Sequence, residues 1–166
     1  MDIEGAAELD QALDALLTGL SPGERKKLSR HVARTLRKLN AARIQAQTEP
    51  DGGAFAPRRP DTYRPSFKHS LRDRRKLRRQ MTNRKLFAKL RTTGHLRAKW
   101  TADEASAGFA NPTTARIAQV HHFGLRDRVY RKGSLTADYP RRELLGLPEA
   151  DRQEVLDQVL RHLSQN

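Results

Sequence analysis

The chain has 166 residues, 36% hydrophobic and 31% charged, a length that suits one domain with a modest core. It has no cysteine, which excludes disulfides and thiolate metal sites, and no apolar run long enough to span a membrane. The charge is local: residues 58–99 hold sixteen Lys or Arg against Asp61 and Asp73, a net of +14, while the remainder carries seventeen charges of each sign. A neutral body with one cationic segment attracts a polyanion or an acidic protein face.

The chain opens on an acidic stretch, MDIEGAAELD, without the basic and apolar regions of a secretory signal, so synthesis inside the cell is expected. Residues 6–19 read as a helix with Leu9, Leu13, Leu16 and Leu17 in a stripe and Gly19 as its stop. Ser21-Pro22-Gly23-Glu24 then spells a second start, with a capping serine, a proline suited to the first helical position and a glutamate three residues after the cap. Leu28, Val32, Leu36, Leu39 and the stem of Arg43 repeat at helical spacing to about Gln47, which predicts the longest helix, its cations on solvated faces.

Glu49-Pro50-Asp51-Gly52-Gly53 is turn chemistry, and Pro57, Pro60 and Pro65 keep the next stretch extended. Residues 48–80 therefore read as an extended basic arm within a single 1–166 domain, with Phe55, Tyr63 and Phe67 available to pin it. Its stretch 68–80, KHSLRDRRKLRRQ, has little apolar surface to bury. The candidates for contact with a polyanion or an acidic partner are Arg58, Arg59, Arg72, Arg74, Arg75, Lys76, Arg78 and Arg79.

A short helix is expected over 83–91, with Leu86, Phe87 and Leu90 inward. Leu96, Ala98 and Trp100 alternate with Arg97 and Lys99, and Ala105, Ala107 and Phe109 return, so a β-hairpin spans about 95–110. Asn111-Pro112-Thr113 begins a helix whose Ile117, Val120 and His121 share one face, and Gly124 stops it. After a basic excursion, Tyr139-Pro140 should turn an arriving strand into a short helix. The last helix begins after Leu147-Pro148 and carries Val155, Leu156, Val159, Leu160 and Leu163. The fold class is α+β: several helices packed on a small antiparallel sheet, with the basic arm attached.

Little points to catalysis. His121 and His122 are adjacent, so on a helix they diverge by about a hundred degrees, and zinc needs convergent ligands. One of the pair lining the core is the expectation, with no metal and no cofactor. No Gly-x-Ser-x-Gly elbow or phosphate-binding glycine loop occurs, and the acids are spread thin, with Glu143 between arginines expected in an ion pair. Sequence-independent DNA binding by residues 58–99 stays open beside the acidic-partner reading.

The segments IAQVHHFGLRD (117–127) and YPRRELLG (139–146) together resemble the phage virion morphogenesis family, the tail completion proteins of temperate contractile-tailed phages and their prophages. LSPGERKKLSRHVARTLRK, TEPDGGAFAPRRP and KLFAKLRTTGHLRAKW agree in the same order, so the likeness runs along most of the chain. The resemblance implies a non-enzymatic structural protein that completes the head-proximal end of the tail for joining to the head. It also implies rings of copies, hexameric by analogy with tail symmetry, that meet tail tube, tail terminator or head connector proteins and double-stranded DNA in the channel, with no membrane. Its place would be the tail and neck of the virion, after assembly in the host cytoplasm. Partner or subunit contacts then fall on Val120, His121, Phe123 and Gly124 in the helix stop, and on Tyr139, Pro140, Arg141, Arg142 and Leu145 beyond it. The two arginines would offer forked donors to carboxylates.

Overall fold

The computed structural model describes residues 19–58, 85–128 and 136–164. Its elements are α1 (Pro22–Ala46), β1 (Leu96–Trp100), β2 (Ala105–Phe109), α2 (Pro112–Phe123), β3 (Arg126–Arg128), β4 (Thr136–Asp138) and α3 (Glu149–Leu163). β1 pairs with β2 and β3 with β4, so the class is α+β as the sequence indicates, with the strands in two separate ribbons rather than one sheet. The helix expected over 6–19 and most of the basic arm, from residue 59 on, lie outside the described residues.

Chain packing groups the described residues into two compact units. The first takes 19–39, 96–108 and 147–164. Here α1 starts on its capping box: Ser21 Oγ accepts from the Glu24 N–H at 3.3 Å, and the Glu24 carboxylate accepts from the Ser21 N–H at 3.0 Å and hydroxyl at 2.8 Å. Those bonds from Ser21 hold the Glu24 carboxyl below its ordinary range. Leu28, Ala33, Leu96 and Val159 are buried in this unit. Arg34 lies over the Trp100 ring at 5.8 Å, and Thr35 Oγ1 donates to Gln158 Oε1 at 2.7 Å. β1 alternates as expected, with Leu96 buried, Ala98 and Trp100 half-buried, and Arg97 and Lys99 exposed. The Thr101 N–H donates to the Glu104 carbonyl at 2.8 Å and closes the hairpin turn.

The second unit takes 40–58, 85–95, 109–128 and 136–146. Its core is Ile44, Phe55, Leu90, Ala118 and Leu144, with Leu86, Phe87, Phe109 and Leu145 packed against it. α1 ends at Gln47, whose φ of 66° is left-handed, a conformation that costs a non-glycine residue about 1 kcal/mol. The side chain offsets that cost. Gln47 Oε1 accepts from the Leu86 N–H at 2.5 Å, and Nε2 donates to the carbonyls of Leu86 at 2.9 Å and Ile44 at 2.6 Å. Residues 49–53 form the expected turn, closed by Glu49 N–H to Gly53 O at 2.7 Å.

Three local expectations are corrected. Residues 85–91 form successive turns and no helix, because Phe87 sits at φ 58° and Gln47 captures both backbone groups of Leu86. Leu86, Phe87 and Leu90 nevertheless pack on the core. On α2 the buried residues are Thr114, Ala118 and Val120, whereas Ile117 is exposed. After Pro140 the chain makes no helix: residues 139–146 run without helical structure to Leu147.

The end of α2 and its strap as candidate functional site

α2 begins with Asn111, whose side chain accepts from the Thr114 N–H at 2.7 Å, and Pro112 takes the first helical position. It ends at Gly124, φ 67°, with the N–H groups of Gly124 and Leu125 both directed at the Val120 carbonyl. The glycine is required twice over. Its φ is left-handed, and a Cβ there would lie 2.9 Å from the Arg141 backbone nitrogen. The stop and the segment 139–146 therefore meet backbone to backbone.

That segment crosses the helix end as a strap. The Tyr139 N–H donates to the Leu125 carbonyl at 3.2 Å, and the Arg142 N–H to the His121 carbonyl at 2.7 Å. The Leu144 N–H donates to His122 Nδ1 at 3.2 Å, and the Gly146 N–H to Asn40 Oδ1 at 3.0 Å. A helix would have spent these N–H groups internally. Instead, those of 142, 144 and 146 satisfy acceptors on neighbouring helices, including a last-turn carbonyl of α2 that its own helix leaves open. Arg43 adds a bond from its guanidinium to the Gly146 carbonyl at 2.8 Å, and a Cβ on Gly146 would overlap the Pro50 ring.

Arg142 is the centre of the arrangement, with 3% of its surface exposed. Its Nε donates to the Ala56 carbonyl at 2.6 Å and its Nη2 to the Pro57 carbonyl at 2.9 Å, while Nη1 lies 3.1 Å from His121 Nδ1. A guanidinium only donates, so His121 Nδ1 accepts and the imidazole proton sits on Nε2. The ring packs edge-on to Phe87 at 4.8 Å and Tyr139 at 4.9 Å. Burial, then the nearby Arg142 and Arg58 charges, push the His121 pKa down to about 4. Burial also raises the Tyr139 phenol.

The candidates thus separate. His121 lines the core, as expected of one of the pair, and Val120, Arg142 and Gly124 serve the strap geometry. The forked donors expected to meet carboxylates do so only for Arg141, which pairs with Glu143 at 2.9 Å. Arg142 forks instead onto carbonyls, because its position on the strap puts it over residues 56 and 57. Leu145 packs on the core and Pro140 is half-buried, while Phe123 is exposed. Of the cationic candidates, Arg58 reaches the Lys85 carbonyl at 3.5 Å, and Arg59, Arg72, Arg74, Arg75, Lys76, Arg78 and Arg79 lie outside the described residues. Among the described residues no three His, Asp or Glu converge on a metal-sized site, and no helix is long and apolar enough to cross a membrane.

Sequence reasoning passes over Asn40, Ile44 and Gln47. They extend the apolar row of α1 at three- and four-residue spacing, and a polar residue in that row is the available signal.

The sequence profile of the phage virion morphogenesis family matches residues 5–164. Tail completion protein S of Escherichia phage P2 is 36% identical over 154 residues, which cover 93% of this chain and 94% of that protein. No solved structure matches.

Proposed function

The chain belongs to the phage virion morphogenesis family, and from that membership we propose that it is a structural protein that completes the phage tail and supports head–tail joining. The observation that carries the reading is the likeness to a tail completion protein over 93% of this chain and 94% of that one. The strap chemistry supports it. The histidines and Arg142 serve to fix one chain path rather than to form a reactive pocket. In this reading the protein acts without enzymatic activity, as a ring of copies at the head-proximal end of the tail. It touches tube, terminator or connector proteins there, and it is assembled in the host cytoplasm.

The test is electron microscopy of lysates from a phage lacking the protein. Tails and filled heads should accumulate separately, and purified protein added back should restore joined, infectious particles. Intact infectious particles in its absence would refute the role. A second reading, salt-sensitive DNA binding by residues 58–99, draws on the exposed Arg97 and Lys99 of β1. It predicts duplex DNA binding by the isolated protein that weakens steeply between low and moderate salt. The two readings separate if a variant that no longer binds DNA still restores joining.

A further inference from the structure

Within the first unit, one whole side of α1 is basic. At about 100° per residue, the seven basic residues of 26–38 fall within an arc of about 140°, and no other residue of that stretch lies inside it. Lys26, Lys27, His31, Arg34 and Lys38 are exposed, while Arg30 and Arg37 are half-buried towards the edge where Ala33 is buried. The track runs about 18 Å along the helix, and Glu24, ahead of it, is the one acid of α1. Among the described residues none of these cations meets a carboxylate. The acids of the unit that are bonded go elsewhere: Asp103 pairs with Arg25, Glu149 with Arg152 and Glu154 with Arg161, and Glu24 accepts from Ser21. Arg34 lies across the Trp100 ring instead. Such an arrangement works against the helix. Lys26 with Arg30, Arg30 with Arg34 and Arg34 with Lys38 set like charges four positions apart, and cations in the first turns oppose the macrodipole. A bound polyanion would offset both.

We propose that this side of α1 binds the phosphate backbone of a nucleic-acid duplex, with Lys27, Arg34 and Lys38 at the centre of the contact. The charge is complementary along the full length of the track, since a duplex carries about one negative charge per 1.7 Å of its axis. The composition favours phosphate over an acidic protein face. Protein interfaces concentrate their energy in apolar and aromatic anchors and are poor in lysine, whereas this arc holds no apolar residue and three lysines. Phosphates need only cations and donors. A duplex also fits better than a single strand, because Trp100 is half-buried with Arg34 across its ring and offers no platform for unstacked bases. The surface is distinct from residues 58–99. Arg97 and Lys99 alternate with Trp100 along β1 and so point to the other side of the strand. The proposal does not rest on the assembly role.

The test is fluorescence anisotropy of the full-length protein with a labelled DNA duplex of about 30 base pairs, titrated over a series of salt concentrations. Two unrelated duplex sequences should bind alike, since backbone contacts carry no base information. The Lys27→Gln, Lys38→Gln double variant should bind roughly 60-fold more weakly at about 0.1 M salt, with a slope of log affinity against log salt shallower by about 1.8, the loss of two phosphate contacts. Its melting temperature should not fall, because both side chains are exposed and their removal relieves repulsion. Lys27→Arg, Lys38→Arg keeps the charge and should keep the wild-type slope. Wild-type affinity and slope in the glutamine variant would overturn the proposal and leave the reading of residues 58–99 standing. No duplex binding by wild type at low salt would overturn both. A glutamine variant that binds duplex normally yet fails to restore head–tail joining would assign the track to an acidic protein instead. The binding result does not depend on whether joining needs the protein, so failure of the assembly role leaves it intact.

Discussion

The two compact units differ in one kind of polar contact. Both units carry solvent-facing ion pairs: Arg25 with Asp103, Arg152 with Glu149 and Arg161 with Glu154 in the first, and Arg116 with Asp127 and Arg141 with Glu143 in the second. The buried polar side chains among the described residues, Asn40, Thr114 and Arg142, all belong to the second. Exposed pairs contribute little because water competes for both partners. A buried donor has no such alternative, so each one tolerates only one arrangement of its neighbours. The first unit can exchange its pairs freely, whereas the second is committed to a single course for residues 139–146. Removing one side of a contact should therefore hurt far more in the second unit.

The largest effect is expected at Arg142. Replacing it by methionine leaves the Ala56 and Pro57 carbonyls and His121 Nδ1 without their donor, at about 1–3 kcal/mol for each stranded group. Removal of a buried cation returns part of that, so the net loss should be about 3 kcal/mol, read from the urea midpoint. Arg142→Lys should recover little, since an ammonium cannot fork across two carbonyls. Full stability in Arg142→Met would show that the strap is held by its backbone bonds and Leu144 alone.

Next comes Gly124→Ala. The left-handed φ and the approach of the Arg141 backbone act together, and about 2 kcal/mol should be lost. No rotamer change relieves a contact with backbone. A loss of a few tenths in thermal or urea unfolding would mean that the strap can lift from the helix end.

The third test uses pH. His121 is neutral in the fold, with a pKa of about 4, against about 6.5 in an unfolded chain. Between those values the unfolded chain binds the proton and the folded one does not, so falling pH favours unfolding. The contribution is complete above about pH 6.5, shrinks as the pH drops and is gone near pH 4; solvent screening of a partly exposed ring limits it to about 1.5 kcal/mol. His121→Gln keeps an acceptor for Arg142 and cannot titrate. Its unfolding free energy should be flatter than wild type between pH 4 and 6.5, and equal slopes would remove His121 from the account.

The same contrast explains what can be read from the sequence. Signals carried by adjacent residues point to the right element: the Ser21–Glu24 box, the Asn111-Pro112 start, the Gly124 stop and the alternation of Leu96, Ala98 and Trp100. Each works through bonds within four residues or through the pleat. The strap reads wrongly as a turn into a helix because Pro140 restricts φ without saying which acceptors await the N–H groups of 142, 144 and 146. Those acceptors sit on His121, His122 and Asn40, up to 106 positions away. Residues 85–91 mislead for the same reason, since Gln47 takes both polar groups of Leu86 from 39 positions away. Apolarity alone places Ile117 inward, yet Thr114 and Ala118 fill that contact, with Thr114 Oγ1 3.2 Å from His95 Nδ1. Of the candidate site, Gly124 and the core role of a histidine are legible. The internal engagement of Arg142 is not, because nothing local distinguishes it from Arg141.

The smallest expected effect closes the comparison from the first unit. Arg161 reaches Glu154 at 3.6 Å with more than half of each side chain in solvent. Arg161→Ala removes one exposed pair and one cation from the last turn of α3, where a positive charge favours the helix dipole. Both contributions are screened by salt, so the loss should stay within about 0.5 kcal/mol and fade further at about 1 M salt. Arg142→Met should keep most of its cost at that salt, because no counterion enters a site with 3% exposure. Measured side by side at low and high salt, the two arginines separate a polar contact that decorates the surface from one that dictates the path of the chain. A cost at Arg161 that matched Arg142, or a cost at Arg142 that vanished with salt, would erase the distinction between the two units.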